Sequence, residues 1–467
     1  MWTRHEQKFG TSLGHILQYR REMPIDRGLD VNNRFDVVVV GMGLAGLAAG
    51  IHLSRAGLRV AAIENAGFPH ARVGESLDWS SPILLKNLGL SRELLIKEGV
   101  ATWKRKIRVE PLGEPPFGAQ PDEYEFLSKK PLEFEVLTLH VDRTELDQRL
   151  FAMAEALGVT FVWDRVATLE SQRQRVLACQ TECHGRIAAP WFIDSTGRAG
   201  LFAKALGIPR TEFGRPKVCL WTYFNGRCDC EGTTFFTDGG AEYLWWIWEI
   251  PIRPDKVSVG LVVPAEQIRA RFQTGQRLNE IFRNDLAKFP RFHQRLVEQP
   301  DFQVSTCSWR NYVHRQVCGE NWLMAGESAS LPDPLTANGV TAALRHSQEA
   351  SEFILESASR RSLSLWQRYV YKTNVCRMGR IYNFGIEKII YDSPLRRGVG
   401  TALALRVYAH FGYSMNALYS KFQPRRPVAI IMFGFLMGAL RAWMEVWSMI
   451  GKLVVQAKRF GRMRLPA

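Results

Sequence analysis

Four consecutive valines mark the first strong hydrophobic pattern in the chain. They end the run from Phe35 to Val40, which predicts a buried strand of a parallel sheet. A glycine-rich turn follows, then a helical stretch from Leu47 to Ala56 and a second apolar run from Leu58 to Ile63. The order of strand, glycine turn, helix and strand predicts an α/β fold that begins with a Rossmann-like, nucleotide-binding unit.

The glycine turn has the spacing of a dinucleotide-binding loop. Gly41 permits a tight turn, Gly43 allows backbone N–H groups to approach a pyrophosphate, and Gly46 allows the helix to pack closely on the strand. Glu64, 18 residues after Gly46, is placed to accept hydrogen bonds from ribose hydroxyls. Because a carboxylate would repel a 2′-phosphate, the motif favours FAD or NAD over NADP. A glycine turn without a ligand is the alternative.

Two later segments favour FAD over NAD. Each is an apolar run that ends in a glycine-containing loop: one runs from Trp191 through Asp194 to Gly197, and the other from Glu320 to Gly326. The second continues into a helix that we expect to extend through Ala350. Strand ends so far apart in sequence suit a ligand that crosses the whole edge of the sheet.

Composition narrows the classes of protein. The 467 residues include 46% apolar residues and eight cysteines, which excludes a disordered chain, a collagen and a small disulfide scaffold. The scattered cysteines lack the spacing of a zinc site, so we expect no metal. The N-terminus has no apolar signal-peptide core, and we expect a cytoplasmic protein.

The net charge of +15 could attract nucleic acid, anionic lipid, an acidic protein or an anionic cofactor. Basic and aromatic residues do not interleave on a recognisable module, so we do not predict nucleic-acid binding.

Taken together, the motifs resemble the FAD-dependent monooxygenase superfamily and, within it, the flavin-dependent halogenases. The resemblance covers about residues 35–375. The segments that carry it are the glycine turn with Glu64, the stretch from Arg72 to Leu77, Val141-Asp142-Arg143, Asp194-Ser-Thr-Gly197, and Gly326 with Asp333-Pro334 and Gly339-Val340.

The resemblance implies roles in binding FAD. Gly41, Gly43, Gly46 and Glu64 would hold the ADP half, and Arg143 would face the phosphates. The segment from Gly326 to Val340 would wrap the ribityl chain and the isoalloxazine. Asp333-Pro334 would open a helix whose amides near Gly339 and Val340 stabilise negative charge at the flavin or at a halide. The usual Gly-Asp pair is Gly326-Glu327 here, so we expect weaker FAD binding.

A tryptophan motif indicates the chemistry. The stretch from Trp246 to Pro251 reads WIWEIP and matches the halogenase pattern Trp-x-Trp-x-Ile-Pro. Strand alternation would place Trp246 and Trp248 on one face, and the run from Val257 to Val263 would complete a hairpin. In the family such tryptophans are thought to keep the organic substrate from the flavin while a halide reaches it. An aromatic-rich core strand is the alternative.

A lysine is the second residue that selects the chemistry. Halogenases carry a catalytic lysine after an aromatic residue at this distance from the Gly-Glu pair, and Lys104 matches, with Lys106 as the nearby alternative. An ammonium can hydrogen-bond hypohalous acid, and a free amine can form a haloamine. Lys104 also belongs to a basic cluster, which is typical of a solvated face. Glu75 is a candidate for coupling the flavin to the lysine.

The predicted architecture is a Rossmann-like FAD domain with a parallel sheet, a substrate domain with a mixed antiparallel sheet, and a helical C-terminal region. The boundaries we predict are an extension over 1–34, a discontinuous FAD domain over 35–110, 140–205 and 310–375, a substrate domain over 111–139 and 206–309, and the C-terminal region over 376–467. The uncharged stretch from Val428 to Leu440 is too short to cross a bilayer. It predicts either a helix lying on anionic lipid or one packed over the substrate cleft.

The sequence therefore predicts a halogenase that uses FADH₂, O₂ and chloride or bromide on an electron-rich aromatic ring in a biosynthetic pathway. A monooxygenase of the same fold, hydroxylating an aromatic small molecule or protein side chain, is the alternative. Because no second glycine fingerprint for a nicotinamide is present, a separate flavin reductase would supply the FADH₂. The substrate would be free or attached to an acidic carrier protein.

Overall fold

The computed structural model describes residues 35–65, 67, 73–78, 80–112, 132–238, 243–392 and 427–462. The predicted extension over 1–34 lies outside them. Sixteen strands lie within the described ranges, and in chain order they are β1 Val37–Val40, β2 Val60–Glu64, β3 Ala101–Leu112, β4 Leu132–Val141, β5 Thr160–Trp163, β6 Val166–Gln172, β7 Arg175–Thr181, β8 Gly185–Ala188, β9 Trp191–Asp194, β10 Arg210–Asn225, β11 Gly232–Asp238, β12 Trp246–Arg253, β13 Lys256–Pro264, β14 Ser305–His314, β15 Trp322–Met324 and β16 Ser330–Leu331.

The α-helices of the same ranges connect these strands or pack on the sheets. They are α1 Leu44–Arg55, α2 Ser81–Asn87, α3 Arg92–Lys97, α4 Arg143–Ala156, α5 Leu201–Ala205, α6 Ala265–Gln273, α7 Leu278–Leu286, α8 His293–Glu298, α9 Asn338–Glu356, α10 Leu365–Lys372, α11 Met378–Gly385 and α12 Pro427–Arg462. Short 3₁₀ turns cover Gly197–Ala199, Pro290–Phe292, Gly326–Ser328 and Pro334–Thr336, and π-helical turns cover Thr373–Arg377 and Ile386–Tyr391.

A five-stranded parallel sheet forms the nucleotide-binding layer. Its order is β15-β9-β1-β2-β5, and every neighbouring pair is parallel. Strands β1, β2, β9 and β15 are buried over almost their whole length, as their continuous apolar runs predicted, and the edge strand β5 is only partly buried. The two late apolar runs form β9, which pairs with β1, and β15, which pairs with β9 at the edge of the sheet. The predicted parallel sheet, with these strands in it, is therefore confirmed.

The second sheet has eight strands in the order β16-β14-β10-β13-β12-β11-β3-β4. Its pairs are antiparallel except for β11 with β3, so the predicted mixed sheet is also confirmed. The hairpin of β12 and β13 carries the tryptophan motif. A small antiparallel sheet of β6, β7 and β8 completes the strands of the described chain.

One helix prediction needs correction. Asp333-Pro334 was expected to open a helix, but the residues from Pro334 to Thr336 make only a 3₁₀ turn. The α-helix begins at Asn338 and runs to Glu356, beyond the expected end at Ala350. Ala337, between the turn and the helix, has a φ of 57°, so the chain changes direction there and cannot continue as one helix.

Helix α12 packs against α11 and the π-helical turn Thr373–Arg377 through one stripe of side chains. Ile430, Met437 and Met444, seven residues apart, are fully buried, and Met437 belongs to the same apolar cluster as Tyr382 and Ile386. This spacing is that of one helix face. No helix among the described residues is both long and apolar enough to span a bilayer.

Candidate active site

The glycine turn after β1 is held by backbone contacts that require glycine. Gly41 has a φ of 96°, and a Cβ at this position would overlap the backbone carbonyl of Ser195 at the end of β9. A Cβ on Gly46 would overlap the carbonyl oxygen of Gly41. Because neither glycine has a side chain, α1 can begin directly against the ends of β1 and β9.

The second glycine segment meets the first. Gly326 follows β15, has a φ of 68°, and would bring a Cβ within 3.1 Å of the Ala45 Cβ in α1. Its N–H donates to His346 Nδ1 of α9 at 3.2 Å. Glu327, the residue that departs from the usual aspartate, is half-exposed, and its carboxylate lies 3.8 Å from Arg198. The loop that contains Gly326 therefore packs against both α1, at Ala45, and α9, at Ala343.

The starts of these two helices fit an anionic cofactor. Within the described chain, no side chain caps α1 at Gly43 or α9 at Ala337, and neither first turn contains an acidic residue. The first amides of a helix need an acceptor, and a buried helix start without one suits a phosphate or another anion. A Cβ on Gly339 would meet no described atom within 4 Å, so space is open beside the start of α9. Val340, the next residue, is buried.

Two predicted cofactor residues are engaged by the protein itself. Glu64, at the end of β2, accepts a hydrogen bond from the Met42 amide at 2.8 Å, which ties β2 to the glycine turn. Arg143 begins α4 and is buried, and its guanidinium pairs with Asp147 at 3.1 Å. The carboxylates of Asp147 and Glu75 raise the pKa of Arg143.

Lys104 is buried inside the second sheet. Its side chain, on β3, is 4% exposed, and Nζ donates to Ser76 Oγ at 2.8 Å and to the Leu77 carbonyl oxygen at 3.3 Å. Burial lowers the pKa of Lys104 to about 8, against the opposing effect of the Asp78 carboxylate. The amine therefore titrates in the range in which an enzyme works.

The basic residues next to Lys104 on β3 differ from it in burial. Arg105 is exposed and pairs with Glu231 at 3.2 Å. Lys106, the alternative candidate, is only half-buried and lies beyond a register shift in the pairing of β3 with β4. The solvated-face interpretation therefore holds for Arg105 but not for Lys104.

Trp246 and Trp248 lie on one face of β12, as strand alternation predicted. Both indoles are buried, with ring centroids 5.6 Å apart. Trp246 Nε1 donates to Tyr391 Oη at 2.9 Å, and Trp248 Nε1 donates to Ser258 Oγ at 3.1 Å. Gly260 stands opposite Trp248 on β13, and a Cβ there would overlap the indole ring.

Hydrogen bonds lead from Trp248 through Ser258 to Glu75, and the chain leads from Glu75 to Ser76, which accepts from Lys104; the sequence singled out Glu75 but not Ser258 or Tyr223. Ser258, which accepts from Trp248, lies 3.4 Å from Glu75 Oε1, and Tyr223 donates to the same oxygen at 2.9 Å. Glu75 precedes Ser76, the acceptor for Lys104. Burial raises the pKa of Glu75, against the lowering effect of hydrogen bonds from Gly74 and Tyr223. Tyr223 and Ser258 are 148 and 183 residues from Glu75, so no local pattern marks them.

Asp78 connects this segment to α9. One of its carboxylate oxygens accepts from Ser80, Ser81 and Thr341, the last of which lies in the first turn of α9. The other oxygen is buried and has no hydrogen bond to a described residue. The buried Asp78 carboxylate therefore joins the segment that accepts the hydrogen bonds of Lys104 to the first turn of α9.

Two protein-family models match this chain over the segments that form the site. A tryptophan halogenase family model matches residues 125–356, and an FAD binding domain model matches residues 36–81. The chain is 31% identical to tryptophan 2-halogenase of Chondromyces crocatus, over 66% of this chain and 58% of that protein. It is 25% identical to the 1H-pyrrole-2-carbonyl-[peptidyl-carrier protein] chlorinase of Pseudomonas fluorescens, over 71% of this chain and 78% of that protein.

Solved structures share the fold. A triple mutant of the flavin-dependent brominase Bmp2 superposes with a TM-score of 0.67 at 21% identity, covering 89% of this chain and 100% of the brominase chain. The residues that the two family models cover include the glycine turn, the five strands of the parallel sheet and the tryptophan pair. The chain belongs to the flavin-dependent halogenase family, and its cofactor is FAD.

Proposed function

We propose that the protein halogenates an electron-rich aromatic ring, using FAD, O₂ and chloride or bromide. The observation that carries this proposal is the burial of Lys104 at one end of the path through Ser76, Glu75 and Ser258 to Trp248. A buried amine with a pKa of about 8 suits the handling of a small electrophile, and a solvated surface lysine would not.

Bound reduced FAD would supply two electrons and two protons, so that O₂, a halide ion and one further proton would give hypohalous acid and water, leaving FAD oxidised. Lys104 would hold the hypohalous acid by donating a hydrogen bond from its ammonium, which makes the halogen more electrophilic. The acid would then exchange its halogen for a ring hydrogen of the substrate, releasing water. Trp246 and Trp248 would keep the organic ring away from the flavin, and Glu75 would fix the segment that carries the acceptor for Lys104.

The cofactor residues are part of the proposal. Gly41, Gly43, Gly46 and Glu64 would hold the ADP half, and Arg143 would lie toward the phosphates. The segment containing Gly326, Glu327, Asp333, Pro334, Gly339 and Val340 would surround the flavin. The contact between Gly326 and α1, together with the two uncapped helix starts, supports this arrangement.

The proposed substrate is an indole, pyrrole or phenol ring. The relatives include a tryptophan halogenase and enzymes that chlorinate or brominate a pyrrole carried on a peptidyl carrier protein. The net charge of +15 supports docking of an acidic carrier. A carrier-bound substrate would then show a KM that rises with ionic strength, and a KM insensitive to salt would contradict charge-guided docking.

The direct test combines purified protein, reduced FAD supplied by a separate flavin reductase, O₂ and bromide. We expect hypobromous acid, detected with a small diffusible aromatic trap. Lys104→Ala should still form hypobromous acid while halogenation of the native substrate falls at least about 100-fold, in the range of a lost catalytic group. Arg105→Ala, an exposed neighbour in the same strand, is the matched control and should retain activity.

Two outcomes would count against the proposal. Oxygen consumption without hypohalous acid, accompanied by a hydroxylated ring, would identify the monooxygenase alternative. Full activity of Lys104→Ala would remove the lysine from the reaction.

We further propose that α12 contacts an anionic membrane surface. Phe435, Met432 and Met449, on the side away from the buried stripe, are at least 60% exposed. The sequence from 428 to 462 contains five basic residues and one acidic residue, which favours anionic headgroups. Co-sedimentation with vesicles containing phosphatidylserine should decrease for Phe435→Ser and should be absent with neutral phosphatidylcholine vesicles. Equal sedimentation with both vesicle types would contradict this contact.

A further inference from the structure

The structure contains a second buried lysine, whose neighbours lead to Trp246, whereas those of Lys104 lead to Trp248. Lys217 is on β10, and its side chain is 1% exposed. Its Nζ lies 3.4 Å from Asp333 Oδ2, 3.7 Å from Glu387 Oε2 and 4.2 Å from the ring centroid of Tyr391. Burying an ammonium costs several kcal/mol unless other charges compensate it, so such a group is retained only where its partners are fixed.

A bulge in β10 places Lys217 there. The pairing of β10 with β14 shifts register between Phe213 and Lys217, and Gly214 inside the shift has a φ of 64°. A Cβ on Gly214 would overlap the Glu387 carboxylate, so this carboxylate fills the space that a side chain at Gly214 would need. Bulges of this kind redirect side chains and are frequent beside active sites.

Asp333 connects Lys217 to several other groups through its two carboxylate oxygens. Its Oδ2 faces Lys217 and accepts from Asn311 Nδ2 at 2.8 Å. Its Oδ1 accepts from the Leu335 amide at 3.1 Å and from Tyr391 Oη at 3.0 Å. The carboxylate is therefore fixed by the sheet on one side, and on the other it fixes both the turn that precedes α9 and the Tyr391 hydroxyl.

The Tyr391 hydroxyl in turn fixes an indole. With its proton donated to Asp333, it accepts the Trp246 N–H at 2.9 Å. Tyr391 ends the π-helical turn Ile386–Tyr391, which lies beyond the part of the chain matched by the halogenase family model. One ring of the tryptophan pair is thus oriented by a residue from the C-terminal region.

We propose that Lys217 and Tyr391 are positioning residues that set the orientation of Trp246 through Asp333, and so determine how completely hypohalous acid reaches the substrate instead of escaping. This inference rests on the proposed halogenation. It adds a function for the C-terminal region, which supplies part of the wall beside the flavin.

A pair of tyrosines in the same cluster allows a matched test. Tyr391→Phe removes the hydroxyl that Trp246 uses. Tyr243→Phe removes a hydroxyl that donates to Glu387 Oε2 at 2.8 Å, and is the control because that bond lies on the other arm of the cluster. For Tyr391→Phe we expect at least a threefold decrease in halogenated product per O₂ consumed, with a matching increase in trapped hypohalous acid. Tyr243→Phe should keep the wild-type ratio.

A spectroscopic measurement separates this inference from the proposed reaction. In protein labelled with 5-fluorotryptophan, the Trp246 ¹⁹F resonance, assigned with Trp246→Phe, should shift in Tyr391→Phe and in Lys217→Met but not in Tyr243→Phe. If the wild type makes no hypohalous acid, the proposed function fails while the resonance still reports positioning. An unmoved resonance in Tyr391→Phe, or equal product ratios in the two tyrosine variants, would overturn the inference even if Lys217→Met fails to fold.

Discussion

The ammonium of Lys104 donates to the hydroxyl of Ser76 at 2.8 Å, and this bond joins two segments whose roles differ. Ser76 follows Glu75 in the loop that leaves the nucleotide-binding layer, whereas Lys104 lies in the mixed sheet. A change at Glu75 therefore reaches the lysine through one residue. This short connection explains how one loop can serve both the flavin side and the lysine side of the proposed site.

The pH dependence of halogenation should follow Lys104. If the ammonium holds the hypohalous acid, product formation falls as pH rises through about 8, where the amine loses its proton. Steady-state rates from pH 6 to 10 would test this. Lys104→Arg is the control, because its guanidinium stays charged and its residual activity should lack this limb. A rate that increases through pH 8 would instead assign the reaction to the free amine.

Lys104 should also reduce stability at neutral pH. Burial lowers its pKa from 10.5 to about 8, so between these values the unfolded chain binds more protons than the folded protein. The free energy of unfolding therefore rises with pH across this window, and below pH 8 the full cost, about 3 kcal/mol, is present.

Replacing the charge should relieve this cost. Lys104→Met should unfold at a higher guanidinium concentration than the wild type at pH 7, with a smaller difference at pH 10. Equal midpoints for the two proteins at pH 7 would show that the burial of the ammonium is compensated by its partners.

The glycine turn offers a test of cofactor binding within one helix. A Cβ on Gly46 would overlap the Gly41 carbonyl, whereas one on Gly50 would come no closer than 3.4 Å to Val159. Gly46→Ala should therefore lose FAD, seen as loss of the flavin absorption from the purified protein. Gly50→Ala should keep it and gain some stability from the better helix propensity of alanine. Normal FAD content in Gly46→Ala would contradict the proposed role of the turn.

The departure at Glu327 also has a measurable consequence. The glutamate is half-exposed, and its carboxylate extends toward Arg198. The shorter side chain of an aspartate would hold the carboxylate closer to the backbone. Glu327→Asp should bind FAD several-fold more tightly, measured by fluorescence titration of the apoprotein. Glu320→Asp, a similar change before β15, should leave the affinity unaltered. Weaker binding by Glu327→Asp would mean that the chain has adapted to the longer side chain.

Much of this molecule was readable from the sequence alone. Consecutive valines, glycine spacing and strand alternation are local properties, because a buried parallel strand, a tight turn and a two-residue period each depend on neighbours along the chain. They predicted the parallel sheet, the loops after β9 and β15 and the shared face of Trp246 and Trp248, whereas the candidate Lys104 came from the family resemblance. The family resemblance extended these to FAD and to halogenation.

The tertiary structure decided which polar groups are buried together. The sequence left Lys106 as an alternative to Lys104, because burial depends on which strands pair with β3. It gave no sign of Lys217, which follows an ordinary Arg-Pro, or of Tyr391, 174 residues further along the chain, and it marked Asp333, 116 residues from Lys217, only as a cofactor residue and not as the partner of a lysine. Charges and hydroxyls compensate one another only when the fold brings them within a few ångströms, and no pattern along the chain records that distance.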